Sequence, residues 1–123
     1  MSETLQPSYT YHGQVISVTD GDTIKVRLDL GFSIDHRVTI RLADVFAAER
    51  GQPNASDHTA KLRALLPVGA WVILKTQRLR GAEKQTFGRY VADVWVGGFH
   101  VNKKMRDFIG EPQGSGAAKR NGA

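Results

Sequence analysis

Acids and arginines stand at three separated points of this chain, each at the end of a stretch with strand character. Residues 15–23 read VISVTDGDT and carry Asp20 and Asp22. Residues 41–49 read RLADVFAAE and carry Arg41, Asp44 and Glu49, and residues 87–89 read FGR and end on Arg89. Carboxylates can hold a hard divalent cation, and guanidinium groups can clamp a phosphate through paired N–H donors. A glutamate ionised at neutral pH can take a proton from water held within its reach. Together these are the parts that phosphodiester hydrolysis needs.

The elements that must position them are mostly strands. Apolar and polar residues alternate from Gln14, and Asp20-Gly21 turns the chain into residues 24–30, where Ile24, Val26, Leu28 and Leu30 share one face. Asp22 has the parity of that face, which puts its carboxylate at the rim of an interior. A charge there needs a cation or several donors. After Gly31 and Phe32 the alternation resumes over residues 36–42, with Arg41 on the outward parity.

Asn54 or Ser56 caps a helix running to about Leu66, with Leu62, Leu65 and Leu66 as its apolar stripe, and Pro67 and Gly69 end it. Residues 71–76 and 90–96 form two further strands, Gly97 and Gly98 a turn, and residues 101–109 a short helix. The two tryptophans, Trp71 and Trp95, are expected in the core. His12, His36, His58 and His100 lack metal-ligand spacing and read as structural or surface residues, His58 on an exposed helix face.

The chain divides into a flexible segment over residues 1–13, one domain over 14–110 and a disordered tail over 111–123, rich in Gly and Ala. With 123 residues it holds a small single core. The formal charge of +5 favours an anionic partner, of which nucleic acid is the commonest. The absence of cysteine excludes a disulfide framework and thiolate metal sites. No apolar run has membrane-spanning length, and the N-terminus lacks a basic start followed by an apolar stretch. A monomer, cytoplasmic or phage-encoded and acting inside the cell, is therefore expected.

Taken together, D-G-D-T at residues 20–23, Arg41-Leu42 followed by Glu49, and Phe87-Gly88-Arg89 resemble the staphylococcal (thermonuclease) nuclease family. The resemblance covers roughly residues 14–110. It implies a β-rich α+β fold, a five-stranded OB-fold barrel with two short helices, that cuts DNA or RNA with calcium; magnesium or manganese are the alternatives. It also makes Asp22 a metal ligand, Arg41 and Arg89 phosphate clamps and Glu49 the general base. Phe87 takes the place of a family residue that is often Tyr and keeps a face for base stacking, while Arg78, Arg80 and Lys84 on a basic loop are further candidate nucleic-acid contacts, single-stranded DNA or RNA being the favoured partner.

One position departs from the pattern. Phe46 stands where the family has a second metal-ligating aspartate, and phenylalanine cannot ligate a hard cation. Asp44 shares its parity but lies about 6.6 Å away along a strand, against a metal–oxygen bond of about 2.4 Å. It substitutes only if the strand end slides by two residues or bends sharply. Two functions follow: a metal-dependent phosphodiesterase of low sequence specificity, or a nuclease-like module that binds nucleic acid or a protein without cleavage.

Overall fold

The computed structural model describes residues 8–76 and 89–110. The chain runs β1 (Thr10–Asp20), β2 (Thr23–Asp29), β3 (Asp35–Leu42), α1 (Ala55–Leu65), β4 (Trp71–Thr76), β5 (Arg89–Val96), β6 (Phe99–His100) and α2 (Val101–Ile109). β1 pairs antiparallel with β2 on one edge and with β4 on the other. β2 pairs with β3, and β4 with β5. A parallel pairing of β3 with β5 closes the ring, and β6 adds a short strand beside β5. The result is a closed five-stranded mixed barrel of OB type, with no free edge among its five strands.

Alternation fills the barrel. Val26, Ile40, Leu42, Leu74 and Val94 point inward and are buried, and Leu62, Leu66 and Met105 close the core from the helical side. Removing such side chains from water is the main favourable contribution to folding. β1 breaks strict alternation at two bulges, between Val15 and Ser17 and between Val18 and Asp20. Each bulge inserts an unpaired residue, so Val15 and Val18 both face the core although their parities differ.

Several expectations change. β1 starts at Thr10, within the stretch read as flexible, because Thr10 to Gln14 pair with Lys75 to Trp71 on β4. Trp71 is not core but about half exposed. Val72 and Leu74 take the inward parity of β4, leaving Trp71 outside, its ring tilted against that of His12 at 4.6 Å. Trp95 likewise lies on the outer face of β5, half-buried and stacked on His100 at 4.8 Å. His58, expected on an exposed face, is buried. No helix among the described residues is long and apolar enough to cross a membrane. The 111–123 tail lies outside the described residues.

Candidate nucleic-acid site at one barrel end

The first two motif segments meet where β1 turns into β2 and β3 ends. The carbonyl of Asp22 accepts the Leu42 N–H at 2.8 Å, and the next N–H, of Ala43, donates to Ala92 on β5 at 2.9 Å. The end of β3 is thus held between the β1–β2 turn and β5. Thr23 pairs with Arg41 across β2 and β3, and Arg89 occupies the register position beside Thr39, one outward step from Arg41. Only the strand position of Arg89 is described. Arg78, Arg80, Lys84 and Phe87 lie outside the described residues.

Gly21 makes this convergence possible. A Cβ there would come within 2.6 Å of the His58 Cβ and 2.7 Å of the Ala47 Cβ, closer than side-chain carbons approach. The missing side chain lets the turn press against α1 and the loop after β3. In that contact His58 is buried and its Nδ1 accepts the Ala48 N–H at 2.9 Å. Burial lowers the imidazole pKa below its ordinary value, with Asp57 and Asp22 opposing part of the shift. The neutral ring therefore anchors the segment that carries Ala47, Ala48 and Glu49.

The Asp22 carboxylate is largely covered, and donors surround it. Its Oδ1 accepts the Thr23 hydroxyl at 2.9 Å and its Oδ2 the Ala47 N–H at 3.4 Å. A guanidinium N–H of Arg41 lies 3.9 Å from the same Oδ2. That Arg41 nitrogen also donates to the Val45 carbonyl at 3.3 Å, and the guanidinium carbon sits 5.2 Å from the centre of the Phe46 ring. Cation and ring at that distance attract. Phe46 thus packs on the arginine that stands beside Asp22.

Asp44 stands apart from the Asp22 carboxylate's hydrogen-bond partners. It has a positive φ of 58° and is exposed, at the turn where the Val45 N–H reaches back to the Leu42 carbonyl. Asp tolerates this left-handed conformation better than most residues, and here it reverses the chain. Val45 is fully buried between exposed Asp44 and half-exposed Phe46. Among the described residues no three His, Asp or Glu side chains stand close enough to hold a metal. Calcium prefers six to eight oxygens. One carboxylate that already accepts a hydroxyl and an amide beside a fixed guanidinium does not fit it.

Glu49 is exposed, and its carboxylate has no hydrogen-bond or ion-pair partner among the described residues, Arg41 included. Only its backbone is held: Gln52 Oε1 accepts the Glu49 N–H at 2.7 Å, and the Gln52 N–H returns to the Glu49 carbonyl at 2.9 Å. On the outer face of β2 and β3, Lys25 and Arg37 line a shallow concavity of about 430 Å³ with Ser17 and Thr39.

Two structural anchors escape sequence reasoning. His58 is one, and its only signal is its place on the helix face one turn before Leu62. The other is Asn102, fully buried on α2, which accepts the Val94 N–H at 2.8 Å and donates to the Ala43 and Ala92 carbonyls at 3.1 Å. It ties α2 to β5 and to the end of β3. No family model and no curated protein matches this sequence.

Proposed function

We propose that the protein binds the sugar–phosphate backbone of nucleic acid, single-stranded DNA or RNA, at this barrel end and needs no resident divalent cation to do so. The observation that carries the reading is Arg41, the positive charge beside Asp22, still partly open to solvent at the strand end. A guanidinium has five N–H donors, so contact with Val45 and Asp22 leaves several for phosphate oxygens. Lys25 and Arg37 on the same outer face, and a formal charge of +5, extend the attraction to a polyanion. The β2–β3 face and the loops beside it are where OB barrels commonly take oligonucleotides. The motif resemblance to the staphylococcal nuclease family points to the same partner. Neither helix among the described residues has a feature that would read base edges in a groove, so low sequence preference is expected.

A metal-dependent nuclease is the second reading, favoured by one observation. Glu49 keeps an exposed carboxylate without a partner among the described residues, on the loop that also supplies Ala47 to Asp22. That is what a general base for water attack on phosphorus requires. The test is cleavage of a labelled oligonucleotide in calcium, magnesium, manganese or chelator by the parent chain, Phe46→Asp and Glu49→Gln. Binding without cutting by the parent supports the first reading. Metal-dependent cutting by the parent, lost in Glu49→Gln, replaces it with the second.

A further inference from the structure

Beyond the Asp22–Arg41 contact, the end of β1, the loop after β3 and one face of α1 enclose a concavity of about 500 Å³. Thr19, Asp20, Arg50, Ser56, Thr59 and Arg63 stand on its walls. The volume lies within the range of pockets that take small ligands. Arg63 donates through one nitrogen to the Val18 carbonyl at 3.5 Å, which ties its guanidinium to β1 while its other N–H groups remain available. Arg50 has no hydrogen-bond or ion-pair partner among the described residues. The Thr59 hydroxyl is spent on the Ala55 carbonyl at 3.0 Å, whereas Thr19 and Ser56 present free hydroxyls among the described residues.

The concavity adjoins the proposed binding site through the chain itself. Ala48 is part of its wall, and the preceding residue, Ala47, donates to the Asp22 carboxylate. Asp20, on the same wall, is two residues from Asp22. Two guanidinium charges against one carboxylate leave the wall at +1. That matches one phosphodiester, which carries a single negative charge. Asp20 would oppose the second charge of a free phosphate or a terminal monoester.

We infer that this concavity is a second phosphate subsite, in which Arg50 and Arg63 hold a backbone diester of the same strand that Arg41 engages. The inference rests on the backbone-binding reading and extends it from one phosphate contact to a track around the barrel end. Lost phosphate contacts weaken affinity and also flatten its dependence on salt, by about 0.7 in log–log slope per contact on a single strand.

The test is anisotropy of a labelled single-stranded oligonucleotide titrated with the full chain in chelator over a series of salt concentrations. Parent, Arg50→Gln, Arg50→Gln/Arg63→Gln and Arg41→Gln are compared, with equal melting temperatures as the folding control. Arg50→Gln has no described contact to lose and keeps the test sound if the double variant unfolds. The double variant is expected to bind about tenfold more weakly with a shallower salt slope, and Arg50→Gln to show part of both effects. Millimolar inorganic phosphate is expected not to compete beyond its ionic strength. Unchanged affinity and slope in both arginine variants, with Arg41→Gln weakened, overturns the subsite and leaves the backbone-binding reading standing. Loss in the Arg50 and Arg63 variants with Arg41→Gln unchanged upholds the subsite and overturns the role given to Arg41. Saturable competition by inorganic phosphate overturns the assignment to a diester, and no binding by the parent overturns both inferences.

Discussion

His58→Leu tests how the site is held. Leucine fills much of the ring's space but offers no acceptor, so the buried Ala48 N–H loses the 2.9 Å bond to Nδ1. A buried donor without a partner costs about 1–3 kcal/mol. A loss of about 2 kcal/mol corresponds to a fall in Tm of roughly 8 °C for a domain of this size. Urea unfolding gives the free energy, and hydrogen exchange at the Ala48 amide shows whether the loop has come loose. The acid limb adds an independent check. Burial holds the His58 pKa below 6.5, so as pH falls the unfolded chain takes up a proton before the folded one. Stability from this residue is complete above about pH 6.5 and is lost as pH falls from there through the lowered folded value. His58→Leu lacks that contribution, and its stability changes less across the same window. Stability within about 0.5 kcal/mol of the parent, with Ala48 exchange unchanged, refutes the anchoring role.

Three further outcomes are expected. Gly21→Ala forces a Cβ against His58 and Ala47 and destabilises by about 1–3 kcal/mol in chemical denaturation, where a neutral change contradicts the close approach. Asn102→Leu leaves the buried Val94 N–H without its acceptor and cuts two donations from α2, costing about 2–4 kcal/mol; a mild effect shows that Asn102 does not anchor the helix. Phe46→Asp removes the ring from Arg41 and adds a carboxylate near Asp22, so calcium is expected to raise the Tm of this variant and not of the parent. Calcium without effect on Phe46→Asp indicates that the two carboxylates do not converge.

The barrel was largely legible in the sequence, because period-two alternation over residues 24–30 and 36–42 depends only on which side of a strand faces the core. The tryptophans defeated composition-based reasoning. Their size argues for burial, but strand parity outranks it, and Val72 and Val94 hold the inward positions. The start of β1 was hidden because residues 10–13 have little apolar signal and are fixed by pairing to a strand some sixty positions away. At the site, the gathering of Asp22 and Arg41 followed from motif order. The contact of Phe46 with Arg41 did not, because it depends on how the chain turns at Asp44, whose left-handed backbone no spacing rule reveals. His58 and Asn102 were missed for a related reason: a polar residue satisfied in the core looks in sequence like one on the surface.

The most direct test of the account is an anisotropy titration of a labelled single-stranded oligonucleotide with the parent chain, in chelator and again in calcium at matched ionic strength. Equal affinity in the two conditions, with the oligonucleotide intact, is the predicted result, because Arg41 already supplies the positive charge beside Asp22. Binding or cutting that appears only with calcium contradicts it.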